Sequence, residues 1–372
     1  MRIQTARRSL FLSIFVWANV VLIASAQTKE IDIPLSRNGG SNVPFDYSEL
    51  IESVRYIRIQ GNALLGHIKD VKLVGDRFYI HDQARQGIHI VDMNGRILRT
   101  IDSRGRAGNE YISLTAYDVD PKTGEIHILD QLGQRIQVYS ASGQFLRSVA
   151  LGADLASSRD FAVTVRGTYL LFKPDYGRKH RGLTEIDSKG KVIRSLFTID
   201  KRFLLYTLLD PPIYFGRLRD GSNTMMGHID KNLFYRIGPD GTLSIPYHLK
   251  LGISIPKELQ RKEKLEPEEV MEDNFNTTFR YQETDRWLIV AEQYHLRAKF
   301  CFYDKKKGVS HVVAGTKDLV DPFETGLLYF WRSDGENLYT YLEDEKAPAY
   351  RRAVREVGEG DNPILVLIRA TQ

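Results

Sequence analysis

Arg77–Asp82 reads RFYIHD, and 48 residues later Glu125–Asp130 reads EIHILD. Gly87–Asp92 (GIHIVD) and Arg135–Ser140 (RIQVYS) stand at the same offset, as do Asn94–Thr100 (NGRILRT) and Ser142–Ser148 (SGQFLRS). One pattern is written twice between Arg77 and Leu151. A fixed period of this length marks a repeat architecture, in which each copy is one supersecondary unit.

The unit is made of short strands. RFYIHD and GIHIVD are rich in Ile, Val, Tyr and Phe, with polar residues between them. Met93-Asn94-Gly95 and Ala141-Ser142-Gly143 join the later runs, and Gly supplies the positive φ of a tight hairpin turn. Upstream of the RFYIHD-like runs lie Ile68–Val74 and Leu114–Val119. Four antiparallel strands in about 48 residues make a β-propeller blade.

Further copies follow outward from these two. Blades are expected at about 67–102, 111–151, 158–199, 213–251, 278–314 and 325–368. The fold expected is all-β: a six-bladed β-propeller with four-stranded antiparallel blades, occupying 27–372 as one domain. Seven blades is the competing count, because the later copies degrade. Two extended runs, Glu30–Leu35 and Ser53–Gln60, precede the first blade. A closed ring needs its ends to meet, so Pro363–Arg369 (PILVLIR) should pair with one of them. Pro256–Asn274 is dense in Lys, Glu and Leu and is broken by Pro267, which reads as a short helical insertion at about 253–277.

Residues 1–26 read as a signal peptide. Arg2, Arg7 and Arg8 precede an apolar run at Leu10–Ala24, and Ala24-Ser25-Ala26 fits a cleavage site. The run is short for a membrane span and carries Asn19. Cleavage removes three Arg and takes the net charge from +5 to +2, too weak to imply nucleic acid. Cys301 is the only cysteine, so no internal disulfide forms, and KFCFY reads as a strand that buries it. The chain is expected to be exported, periplasmic or extracellular, without a transmembrane segment after cleavage, and monomeric.

Gly95–Val149 resembles NHL-type repeats, and the mature chain resembles the secreted six-bladed β-propeller family of Bacteroides-type bacteria. SVRYIRIQ at Ser53–Gln60, Arg104–Tyr111 and NPILVL at Asn362–Leu367 carry the resemblance. This chain has AGNEY at Ala107–Tyr111 where the family usually has a GPGEY-like sequence. Many family members are lipoproteins, and no Cys follows the apolar run here. The resemblance implies the fold and leaves the activity undefined.

The turns at Gly95, Gly143, Gly190 and Gly241 should share one end of the propeller. The loops at 82–87 and 130–135 and the links between blades should share the other. Long links at Asp200–Ile213, Gly252–Thr277 and Gly315–Glu324 fall on that second face, where a ligand is expected. Its candidate ligand-binding residues are Arg104, Arg106, Glu110, Tyr111, Arg178, Lys179, His180, Arg181 and Arg202. The cations among them favour an anionic ligand. Asp82 and Asp130 recur at strand ends. They read first as turn caps. The weaker alternative is a carboxylate ring for a cation such as Ca²⁺. No cofactor is otherwise implied.

HExxH, GxSxG, GxxxxGK and GxGxxG are absent. His89 and His127 alternate with Ile in strands and read as satisfied strand residues. The functional expectation is a binding or scaffold protein for a glycan, a peptide or a cell-envelope protein. The alternative is an enzyme, a metal-dependent hydrolase or lyase with its site at the channel mouth. Nucleic acid is not expected as a partner.

Overall fold

The computed structural model describes residues 29–33, 43–61, 64–173, 182–198, 215–226, 233–251, 258, 277–294, 297–326, 330 and 332–372. In Arg77–Asp82 every residue after Arg77 is buried. A strand alternates its side chains between two faces, so both faces of this sheet must be covered. Phe78 and Ile80 pack with Ile57, Tyr339 and Leu365 on one side. Tyr79 packs with Tyr117, Ile126 and Ile128 on the other.

The same arrangement repeats around a ring of six antiparallel four-stranded sheets. Blade 1 holds Ile68–Val74, Arg77–Asp82, Gly87–Asp92 and Ile97–Ile101, from the axis outward. Blade 2 holds Ala116–Val119, Ile126–Asp130, Arg135–Tyr139 and Phe145–Ala150. Blade 3 runs from Asp160–Val163 to Val192–Phe197. Blade 4 runs from Phe215–Arg217 to Leu243–Leu251, and blade 5 from Thr277–Glu283 to Val309–Val313. A separate apolar cluster fills each seam between neighbours. The core is thus six radial walls, and the 48-residue period is the spacing from blade 1 to blade 2.

Closure uses the N-terminal region. Blade 6 takes Arg332–Ser333, Asn337–Leu342 and Ile364–Ala370 from the end of the chain, and Ile51–Arg58 as its outer strand. The register runs antiparallel, from Ile364 opposite Arg58 to Ala370 opposite Ile51. Of the two N-terminal runs open to it, PILVLIR pairs with SVRYIRIQ. Lys29–Ile33 has a different role: it pairs parallel to Tyr247–Leu251 and gives blade 4 a fifth strand. Ile31 is buried there among Phe234, Leu249 and Tyr281. A parallel edge partner leaves no alternation clue about which blade it joins.

Cys301 is buried in the seam between blades 4 and 5. The expected insertion at 253–277 lies outside the described residues, apart from Glu258, which is helical and exposed, and Thr277. A helix not read from the sequence occupies Pro348–Val357. It packs Ala349, Ala353, Tyr350, Val354 and Val357 against blade 6, a spacing of three and four that sets one helical face inward.

Candidate functional site

The innermost strands of blades 1 and 2 carry charges among residues otherwise built for burial. Asp70 and Lys72 belong to IKDVKLV in blade 1, and both are buried. Asp118 belongs to AYDV in blade 2 and is 4% exposed. A carboxylate is tolerated so deep only with charged and hydrogen-bonding partners. Asp118 Oδ1 accepts from Lys72 Nζ at 3.0 Å. Its Oδ2 accepts from Arg217 Nη2 of blade 4 at 2.7 Å and from the Val163 amide of blade 3 at 2.7 Å. Arg217 also donates to the Val119 and Val163 carbonyls. One carboxylate thus ties four blades together at the axis.

A second knot closes the ring. Arg332 of blade 6 grips Asp70 with two bonds, Nε to Oδ1 at 2.6 Å and Nη2 to Oδ2 at 2.7 Å. Its Nη1 donates to the Phe215 carbonyl of blade 4. Ser333 Oγ donates to the Glu283 carbonyl of blade 5. The cations set the titration. Burial opposes ionisation of Asp118, but Arg217 and Lys72 outweigh it and hold the carboxyl well below the usual range. Burial likewise opposes charge on Arg332, and Asp70 reverses it and raises the guanidinium. Burial pushes the Tyr339 hydroxyl up.

Above these knots the axis widens into a cavity of about 450 Å³, within the range of small-molecule sites. Lys72, Asp118, Arg217 and Arg332 contribute to its lining, with Ala162, Val165, Phe215, Leu218 and Tyr339 as apolar wall. Asn223, opposite Arg217 in the blade 4 register, also lines it. Asn223 is 2% exposed, and its Oδ1 has no hydrogen-bond partner among the described residues. Gly75, Pro121, Val165, Gly221 and Asp334 line the cavity too. They belong to the turns joining first to second strands. The cavity therefore opens at the end with the short turns, opposite the face of long links where sequence reasoning placed the ligand.

On the link face, Arg104–Tyr111 closes on itself: the Gly105 amide donates to the Tyr111 carbonyl at 2.9 Å, and the Tyr111 amide to the Ser103 carbonyl at 3.0 Å. Glu110 Oε2 accepts from the Ala107 amide at 2.8 Å. Tyr111 is fully buried, and its hydroxyl donates to the Gln86 carbonyl at 2.6 Å. Arg104 and Arg106 are exposed. None of these four residues lines the axial cavity. Arg178, Lys179, His180, Arg181 and Arg202 lie outside the described residues.

Asp82 and Asp130 serve as latches. Asp82 accepts from the Gly66 and Arg85 amides. Asp130 accepts from the Ile112, Ser113 and Gly133 amides and from Arg135 Nε at 3.2 Å. Each fastens an incoming link to the loop between the second and third strands. Burial holds His127 down to about 4, and its Nδ1 meets the Tyr169 hydroxyl at 3.1 Å. His89 Nδ1 meets Thr100 Oγ1 at 2.9 Å.

A signal for the axial site was present in the sequence: charges inside IKDVKLV and AYDV, strands otherwise built for burial. The partners were not legible, because Asp70 and Arg332 are 262 residues apart.

Six blades closed by an N-terminal outer strand around a charged axis define a six-bladed β-propeller. The chain belongs to the family described as a domain of unknown function, DUF4934, whose profile matches residues 30–369. It is similar to a protein of Bacteroides fragilis NCTC 9343 whose name marks it as expected to be exported. That likeness has 16% identity and a TM-score of 0.74, over 92% of this chain and 99% of that one. It is also similar to a DUF4221 family member from Bacteroides vulgatus, at 10% identity and a TM-score of 0.53, over 90% of this chain and 99% of that one. No curated protein sequence matches it.

Proposed function

We propose that this protein is an exported, non-catalytic binding protein whose ligand enters the axial cavity from the short-turn end. The cavity is the observation that carries the reading: it is concave, part apolar, and supplied with converging polar groups. The ionisation of its groups supports binding over turnover. Asp118 is held ionised by its cations, Arg332 is held as the cation by Asp70, and burial keeps the Tyr339 hydroxyl neutral. A general acid or base works best with a pKa near the operating pH. The apolar leader and the name of the Bacteroides fragilis relative support export. The mature monomer would act in the periplasm or outside the cell, on a glycan, a peptide or an envelope protein.

The test is a thermal-shift screen of the mature chain against sugars, peptides and organic acids, beside a Val74→Trp variant. Val74 stands at the cavity wall and is half-buried, so the indole should close the mouth. Ligands lost in that variant occupy the cavity. Ligands that bind it undiminished move the site elsewhere, with Arg104 and Arg106 on the link face the first residues to probe. Conversion of any cavity ligand to product overturns the non-catalytic reading. Full-length chain expressed in a Gram-negative host should yield a periplasmic protein beginning at Gln27, read by intact mass.

A further inference from the structure

The buried charges around the axial cavity are already paired. Lys72 and Arg217 share Asp118, and Arg332 is gripped by Asp70. At the rim, Lys122 Nζ donates to the Val165 carbonyl at 2.9 Å, and Arg219 meets Asp285 at 3.3 Å. Asp334 accepts from the Glu336 and Asn337 amides, and Glu336 meets Arg369. An ion reaching the floor of the cavity would have to break the Asp118 or the Asp70 pair and leave a buried charge alone, which is strongly unfavourable, whereas the rim charges Lys122, Arg219 and Asp220 are exposed and screened by water.

The group left unsatisfied is neutral. Asn223 Oδ1 is buried without a partner among the described residues, on the wall beside Arg217. An amide has an acceptor end and a donor end, and a hydroxyl can meet either, because it both accepts and donates. The neighbouring Asp118 carboxylate accepts and the Arg217 guanidinium donates, so a ligand with several hydroxyls can address all three. The apolar wall of Ala162, Phe215 and Leu218 suits the C–H face of such a molecule.

We propose that the cavity takes a neutral, polyhydroxylated ligand of the size of a mono- or disaccharide, with one hydroxyl on the Asn223 amide. This rests on the reading of the cavity as the binding site and narrows it to one chemical class. The experiment is calorimetric titration of the mature chain with three sets of probes. One is neutral sugars (glucose, galactose, N-acetylglucosamine and maltose). The others are citrate with phosphate, and spermidine.

A neutral sugar should bind, and Asn223→Leu should weaken it at least tenfold without lowering the melting temperature of the free protein. If that variant does not fold, Asn223→Ser with Val74→Trp gives the same comparison. Binding of citrate, phosphate or spermidine alone, lost in the Val74→Trp variant, refutes the ligand class and keeps the cavity as the site. Sugar binding untouched by both the Asn223 and Val74 substitutions refutes the cavity as well. Absence of binding by every neutral sugar overturns the proposal.

Discussion

Arg217 of blade 4 and Asp118 of blade 2 meet at 2.7 Å across the axis, 99 residues apart in sequence. The pair is not a surface ornament, since Asp118 has no other route to neutrality than Arg217 and Lys72 among the described residues. Asp118→Ala should therefore cost about 3–5 kcal/mol, the usual result of stranding buried cations. Arg217→Ala should cost less, because Lys72 still faces the carboxylate. Urea unfolding measures both, and a loss below about 1 kcal/mol for Asp118→Ala would show that water screens the axis.

Gly95 and Gly143 occupy the same turn in successive blades, at φ 85° and 81°. Their surroundings differ. A Cβ on Gly143 would lie 3.0 Å from Arg99 Nε, a side chain that can move. A Cβ on Gly95 would lie 1.9 Å from the Arg58 carbonyl, in the outer strand that closes the ring. Gly143→Ala should cost about 1–3 kcal/mol, from the left-handed backbone alone. Gly95→Ala should cost distinctly more, because the seam between blades 6 and 1 must open. Equal melting temperatures for the two variants would contradict this account.

Acid should weaken the fold in two stages. Burial pushes His81 down to about 3 and His127 down to about 4. In the unfolded chain both rings titrate near 6.5, so below that pH the unfolded state binds protons that the folded state refuses. Stability should fall as pH drops from about 6.5 toward 4, by roughly 1.4 kcal/mol per pH unit for each ring. Asp118 adds its own loss only below about pH 4, where its unfolded carboxyl protonates and its folded one resists. Unfolding curves across pH 4–7 for the parent and His127→Gln test this. The variant should show a shallower slope.

The two N-terminal strands should differ in weight. Removing residues 27–42 takes away Lys29–Ile33, exposes the edge of blade 4 and leaves the ring closed. The product should fold with a lowered melting temperature and a greater tendency to associate through the bare edge. Removing residues 27–58 also takes away the outer strand of blade 6. No soluble monomer should then form. Size-exclusion chromatography and circular dichroism separate these outcomes, and a well-folded monomer from the longer deletion would refute ring closure as the source of stability.

Much of the architecture was legible because a propeller is local. Blades 1, 2, 3 and 5 are built wholly from strands adjacent in sequence, and RFYIHD, EIHILD and the Gly turns declare the first two within 48 residues. The strands needed no partner to be recognised, since short runs rich in Ile, Val, Tyr and Phe bounded by turn residues read as strands by themselves. The need to remove an open edge also implied that PILVLIR would pair with one of the two N-terminal runs, and the structure shows that run to be SVRYIRIQ.

What the sequence determined by itself was therefore the blade, its period and the need for a closed ring. The tertiary structure alone decided what meets at the axis. Asp70 finds Arg332 and Asp118 finds Arg217 only after several blades have been laid side by side. The fifth strand on blade 4 belongs to the same class, because Lys29–Ile33 pairs more than 200 residues away. Local periodicity is a property of neighbouring residues, whereas the cavity is bounded by side chains from blades 1, 2, 3, 4, 5 and 6 and exists only once the ring has closed.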